Sequence, residues 1–218
     1  MIALDAIIFD LDGVLIDSES VWAKIREDIT IESGGRWHEG ATEEMMGMSS
    51  LEWSRYMRDS LEVPMEPGAI SRAVVARLEQ RYRDQVPLLP GAEEAVRAAA
   101  ERWPVGLASS ANRPLIDLVL ELTGLGPLFQ VTVSSEEVPR GKPAPDVYLE
   151  TAGRLEVEAK RCAAVEDSAN GIRSASAAGM RVVAIPRPDF RPSDDVLEHA
   201  ETVLDSLAEL VPALARVA

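Results

Sequence analysis

Short apolar runs recur along the chain, and each stops at a polar or turn-forming residue. Ala6-Ile7-Ile8-Phe9 stops at Asp10, Val105-Gly106-Leu107-Ala108 at Ser109, and Val131-Thr132-Val133 at Ser134. Ala163-Ala164-Val165 stops at Glu166, and Val182-Val183-Ala184-Ile185 at Pro186. Continuous apolar runs of this length suit strands buried on both faces. Helical patterns lie between them. Residues 92–101 are alanine-rich and follow the turn Pro90-Gly91. Pro114 stands where a first-turn proline belongs, Leu115, Val119 and Leu122 follow near helical spacing, and Gly124 marks the stop. Ser168 can cap a helix that runs to Ala178 and ends at Gly179. Strand–helix alternation of this kind predicts an α/β fold, a doubly wound, Rossmann-like parallel sheet with helices on both faces.

One stretch breaks the alternation. After the first run no strand signal returns until Val105. Residues 16–84 read as helices instead, with Val21, Ile25 and Ile29 at four-residue intervals and Ile70, Val74, Leu78 and Tyr82 repeating the spacing. Gly34-Gly35 and the stretch 64–68 punctuate them. The expected organisation is an α/β core formed by residues 1–15 and 85–218, with residues 16–84 inserted after the first strand as a small helical unit.

Composition narrows the function classes. The chain has 218 residues, of which 46% are hydrophobic and 27% charged, enough for a full globular core. A net charge of -15 disfavours nucleic-acid binding, which relies on a basic surface to displace counterions. An acidic enzyme acting on an anionic substrate would have to reverse that field locally, with a cation and a few basic side chains. No apolar run approaches the ~18 residues of a membrane span. The N-terminal residues, with Asp5 and Asp10, do not read as a signal peptide, so a cytoplasmic location is expected. The single cysteine, Cys162, lies in an apolar run and reads as a small buried hydrophobe. Oligomeric state is left open.

The strand ends carry the chemistry, since ligands bind at the carboxyl ends of strands in open parallel sheets. Asp10-Leu11-Asp12-Gly13 sets two carboxylates two residues apart, with a glycine for a sharp turn. One carboxylate can attack phosphorus and the other can move protons. A calcium loop or a surface turn are the alternatives, and the apolar run before Asp10 argues for a strand end. Ser109 and Ser110 precede a helix, where they could hold phosphoryl oxygens or serve as caps. Lys142, in Gly141-Lys142-Pro143-Ala144-Pro145, could offset phosphoryl charge or be solvated. Glu166-Asp167-Ser168 offers two acids that suit a hard divalent cation such as Mg2+, with helix capping as the plainer reading. Asn112 reads as a cap. Trp22 and Trp53 read as helix-face core residues that could also line a pocket. His38 and His199 lack partners at metal-ligand spacing.

The ordered set Asp10-Leu11-Asp12-Gly13, Ser109, Lys142-Pro143 and Glu166-Asp167-Ser168 resembles the four motifs of the haloacid-dehalogenase-like hydrolases, across nearly the whole chain. The resemblance implies that the helical insert is the family's cap, that Asp10 is a nucleophile forming an aspartyl-phosphate, and that Asp12 is the general acid and base. It implies that Ser109 and Lys142 hold the phosphoryl group. It further implies Mg2+ on Asp10, the backbone carbonyl of Asp12 and Asp167, with Glu166 a ligand or its support. Asp12 separates the chain from true dehalogenases, which lack an acid there. The segment Asp17-Ser18-Glu19-Ser20-Val21-Trp22 is similar to that of small sugar-phosphate phosphatases. The related β-phosphoglucomutases have a histidine where this chain has Trp22, and a cap arginine where Gly47-Met48-Ser49-Ser50 offers Ser50. The expectation is therefore a phosphatase acting on a small phosphorylated metabolite, with a phosphosugar mutase as the alternative. A phospho-receiver module, which would be shorter and lack both the insert and the paired aspartates, is a remote third.

Overall fold

The computed structural model describes residues 4–46 and 48–215. Six parallel strands form one sheet in the order β3-β2-β1-β4-β5-β6. They are β1 (Ala6–Phe9), β2 (Val105–Ser109), β3 (Val131–Ser134), β4 (Cys162–Glu166), β5 (Arg181–Ala184) and β6 (Thr202–Val203). The chain lays β2 and β3 on one side of β1, then crosses to lay β4, β5 and β6 on the other. This reversal opens a crevice at the carboxyl ends of the strands, between β1 and β4. Phe9 pairs with Leu107 on one side and with Val165 on the other, so Asp10, Ser109 and Glu166 arrive at the same edge.

The strands alternate between two cores, as their two-residue period requires. Ile7, Phe9, Leu107, Ala163 and Val165 face one apolar cluster, and Ala6, Ile8, Ala108, Cys162 and Ala164 face the other. Helices α5 (Ala92–Ala100), α6 (Arg113–Thr123) and α10 (Leu210–Ala215) contribute to the first; α7 (Asp146–Arg154), α8 (Ala169–Ala177) and α9 (Asp194–Leu197) contribute to the second. Two elements differ from the sequence reading. Helix α7 lacked a clean apolar period, because its buried face includes Thr151 beside Val147, Tyr148 and Ala152. Strand β6 is two half-open residues at the sheet edge, too short for a pattern.

Residues between β1 and β2 are helical, as expected: α1 (Glu19–Glu32), α2 (Ala41–Met45), α3 (Ser50–Asp59) and α4 (Pro67–Asp84) precede α5. Ile70, Val74, Leu78 and Tyr82 form the buried face of α4. On α1 the buried face is Trp22, Arg26, Ile29 and Thr30, one position on from the apolar stripe through Val21 and Ile25. Those two are only partly buried. The apolar interior of these helices is continuous with that on one face of the sheet.

Gly106 shows how tightly the second layer seats. A Cβ there would lie 2.7 Å from Thr151 Cγ2 and 3.0 Å from Leu155 Cδ1, pushing α7 off β2. Gly106→Ala is expected to lower unfolding stability by about 1–3 kcal/mol through overpacking. A urea titration with an unchanged midpoint would contradict this packing.

Candidate active site

The turn after β1 is built around Gly13. Its φ of +78° lies in the left-handed region, and a Cβ there would sit 1.9 Å from Asp167 Oδ2. Only glycine lets this backbone pass under the Asp167 carboxyl. Asp10 opens the turn, its N–H bonded to the carbonyl of Val165. Asp12 is held from the insert: its Oδ1 accepts from Ser18 Oγ at 2.5 Å and from Trp22 Nε1 at 3.0 Å. Ser18 is the N-cap residue of α1, yet its hydroxyl makes no cap bond. The start of the first inserted helix thereby fixes the second aspartate of the strand-end pair.

Lys142 and Glu166 form the floor. Lys142 Nζ lies 2.6 Å from Glu166 Oε1 and 2.9 Å from Asp10 Oδ1, the latter an ion pair rather than a directed hydrogen bond. Tyr148 donates its hydroxyl to Glu166 Oε1 at 2.8 Å. Glu166 Oε2 accepts from the N–H groups of Asp167 and Ser168 and from Ser168 Oγ, at 3.0, 3.2 and 3.1 Å. Both Glu166 oxygens are thus fully engaged. Gly171 makes room for them, since a Cβ there would fall 1.8 Å from Oε1. Asp167 differs: it is buried and its Oδ1 has no hydrogen-bond partner among the described residues. Asp10, Glu166 and Asp167 can each offer an oxygen within 4.8 Å of the others, a buried acidic cluster able to hold a cation.

Burial dominates the electrostatics. It pushes Asp10 up to about 8 against the pull of Lys142, with Glu166 and Asp12 adding to the rise. Asp167 is raised well above the ordinary aspartate value by burial, then by Glu166 and Asp10. Asp12 is also raised by burial, opposed by its bonds from Ser18 and Trp22 and by Arg26. For Lys142 burial favours the neutral amine, but Asp10 and Glu166 together outweigh it and keep the ammonium.

A cleft above this floor is lined by Asp10, Asp12, Ser110, Ala111, Lys142 and Ser168 from the sheet edge. Across from them stand Trp22, Arg26 and Trp53 with three methionines of the insert. Ser109 is buried, and its Oγ accepts from the N–H of Ala111 at 3.0 Å. The structure therefore gathers Asp10, Asp12, Ser110 and Lys142 around one space, with Ser109, Glu166 and Asp167 packed beside it. Ser168 caps α8 as expected, accepting from the N–H of Gly171. Asn112 stands at the N-cap position of α6, but its side chain donates to Glu136 instead of capping. Trp22 and Trp53 are core residues and cleft walls at once, their rings edge-to-face at 5.9 Å. His38 is exposed and bonded to Tyr56 and the Glu39 carbonyl. Cys162 is buried, its thiol pushed up to about 11 by desolvation. In the segment 47–50, Gly47 lies outside the described residues, and Ser50 is buried at the start of α3. Tyr148, Ser18 and Arg26 were not singled out from sequence. Arg26 had one legible signal, its position one helical turn after Trp22.

The family description "haloacid dehalogenase-like hydrolase" matches residues 4–179. The chain belongs to this family of hydrolases. It is 36% identical over 212 residues to a probable pseudouridine-5'-phosphatase of Drosophila melanogaster, covering 94% of this chain and 90% of that protein. It is 35% identical over 209 residues to hexitol phosphatase B of Escherichia coli K12, covering 94% and 93%. Among solved structures, CbbY from Rhodobacter sphaeroides in complex with phosphate is 26% identical, with a TM-score of 0.83 over 95% of this chain and 96% of that one. A putative β-phosphoglucomutase of Thermotoga maritima is 25% identical, with a TM-score of 0.74 over 99% and 100%. No helix among the described residues is long and apolar enough to cross a membrane.

The floor makes a stability test possible. Lys142→Met removes the ammonium between two buried carboxyls and should cost about 3–5 kcal/mol, as for other broken buried pairs. Tyr148→Phe removes one donor of several and should cost about 1 kcal/mol. Chemical denaturation ranking the two in the opposite order would contradict the assignment of Lys142 as the main partner of Glu166.

Proposed function

We propose that this chain is a Mg2+-dependent phosphatase that hydrolyses a small phosphorylated metabolite, a sugar or polyol phosphate, through a phosphoryl group carried on Asp10. The observation that carries this reading is the pairing at the end of β1: Asp10 beside Lys142, with Asp12 held 2.5 Å from Ser18 and 3.0 Å from Trp22. The phosphatase names of the relatives support it.

Asp10 attacks the phosphorus while Asp12, protonated, gives its proton to the departing alcohol oxygen. The product is a mixed anhydride on Asp10 and the free alcohol. Asp12, now a carboxylate, takes a proton from water as that water attacks phosphorus, which releases inorganic phosphate and restores both residues. The raised affinity of Asp12 for its proton suits the first step. Lys142 binds phosphoryl oxygens and stays cationic because Asp10 and Glu166 hold it so. Ser109, through its free O–H, and Ser110 are assigned to the same oxygens.

The residues present fit a divalent cation. Asp10 and the unpartnered Asp167 Oδ1 supply carboxylate oxygens, and the carbonyl of Asp12 is the proposed third protein ligand. Glu166, with both oxygens engaged, is assigned the supporting role of orienting Lys142 and the Asp167 backbone. When bound, magnesium supplies charge neutralisation for a dianionic phosphoryl group in this acidic pocket.

Residues 16–84 are assigned the role of a cap that excludes water and selects the leaving group. Asn170 Nδ2 donates to the carbonyl of Met46 at 2.9 Å, and Gly141, beside Lys142, abuts Ser49 of the insert. Trp22 fills the place at Asp12 that the mutase pattern gives to histidine, which favours hydrolysis over mutase chemistry. The substrate is a small ester and not a nucleic acid, in keeping with the net charge of -15.

Asp10→Asn should lower kcat by at least about 10³-fold on any ester the wild-type chain turns over, without loss of fold. Near-normal turnover in a panel of phosphorylated sugars and polyols would contradict the nucleophile assignment. A second expectation follows from pH linkage. The metal-free fold favours protonated Asp10, so that contribution to stability is full below its ordinary 3.8 and is lost as pH rises through about 8. Cation binding needs the carboxylates deprotonated. The rise in Tm on adding Mg2+ should therefore grow from pH 5 to pH 8, and an equal or larger rise at pH 5 would contradict the site.

A further inference from the structure

Among the described residues, Arg26 is the one cationic side chain of the insert that lines the cleft. It is 6% exposed, its Nε has no hydrogen-bond partner, and no carboxylate stands within ion-pair distance of its guanidinium among the described residues. The guanidinium instead lies over two indoles, 4.5 Å from the Trp22 ring centre and 4.9 Å from that of Trp53. Cation–π contact offsets part of the cost of taking the charge out of water, but it leaves the buried Nε–H without an acceptor among the described residues. Buried donors without partners are rare in native proteins, and one at the wall of a cleft is placed to be completed by water or by a ligand.

Glu19 lies two helical turns before Arg26, on the same face of α1, and lines the same cleft. Burial and the neighbouring Asp12 push its carboxyl up to about 7, while Arg26 draws it down. A second full anion on the substrate would have to approach Glu19 and Asp12. A hydroxyl group meets no such conflict, since its oxygen accepts from a guanidinium N–H and its proton goes to the Glu19 carboxyl. Carbon-bound hydrogens of the same leaving group would rest on Met45, Met46 and Met48.

We propose that Arg26 is a specificity-determining residue, reading hydroxyl oxygens of a neutral, polyhydroxylated leaving group with Glu19 as the complementary acceptor. This inference rests on the phosphatase reading above and names the residues that select the leaving group of such an ester. The guanidinium is held in place by Trp22, which also holds Asp12. A leaving group seated on Arg26 is thereby indexed to the residue that protonates it.

The test compares the wild-type protein with Arg26→Met and Arg26→Lys, all loaded with Mg2+, on three esters. Glucitol 6-phosphate carries a polyol, p-nitrophenyl phosphate carries no hydroxyl on its leaving group, and phosphoglycolate carries a carboxylate. In Arg26→Met, kcat/KM for glucitol 6-phosphate should fall about 10- to 100-fold, the effect of a charge-assisted hydrogen bond. Turnover of p-nitrophenyl phosphate should fall at least about tenfold less than that of glucitol 6-phosphate, and a thermal melt reports that the variant is folded. Arg26→Lys should recover only part of the loss, because the ammonium lacks the planar fork. An equal fall on all three esters would overturn the inference and make Arg26 a general structural or electrostatic group. A fall confined to phosphoglycolate would overturn it in favour of an anion reader. Failure of the wild-type chain to hydrolyse any ester would overturn the phosphatase reading itself, and this inference with it.

Discussion

Three carboxylates and an ammonium are buried together where β1 and β4 end, none of their residues more than 6% exposed. Charges so placed are expensive unless each finds a partner. Glu166 is satisfied by Lys142, Tyr148, Ser168 and two backbone N–H groups. Lys142 divides itself between Glu166 and Asp10. That arrangement leaves one ammonium for three acids, and the deficit falls on Asp10 and Asp167. Burial raises the proton affinity of both, and the neighbouring unmatched acids add to the rise. A divalent cation is the group that would remove it, so the electrostatic imbalance and the proposed chemistry have one origin. Much local detail follows from making room for these charges. Gly13 clears the Asp167 carboxyl and Gly171 clears Glu166. The strand register brings Phe9, Leu107 and Val165 level so that the acids meet.

The insert is tied to this centre through Asp12. The bonds from Ser18 and Trp22 tie the first turn of α1 to the loop that carries Asp10 and Asp12. Trp22 also meets Trp53 of α3 edge-to-face and carries Arg26 on its face. Movement of α1 would therefore shift the proposed acid–base residue and the leaving-group wall together. Such coupling would let binding energy from the leaving group position the proposed proton donor, which is how remote contacts can raise kcat as well as lower KM.

Much of the fold was legible because the main strands are continuous apolar runs buried on both faces. The edge strand Thr202–Val203 offered no such run. The inserted helices were legible as a block, but α1 was turned by one position because a polar pair, Arg26 and Thr30, occupies its buried face. Apolar periodicity cannot find a buried arginine whose partner is a pair of indoles. Asp10, Asp12, Lys142, Glu166 and Asp167 were legible because each follows a strand or sits in a motif of fixed order. The distinct parts of Glu166 and Asp167 were not, since they depend on which oxygens neighbours have already claimed. Tyr148 was invisible for the same reason: its contact with Glu166 spans 18 residues and has no local signature.

The claim at the centre of this account is that Asp10 carries the phosphoryl group during turnover. Acid quenching of the Mg2+-loaded protein during steady hydrolysis, followed by peptide mass spectrometry, tests it directly. The account expects the peptide containing Asp10 to gain the mass of one phosphoryl group, labile to hydroxylamine, with Asp12→Asn raising its occupancy on p-nitrophenyl phosphate, whose leaving group departs without a proton, by slowing release. Sustained hydrolysis with the Asp10 peptide unmodified under the same quench, in both proteins, would contradict it.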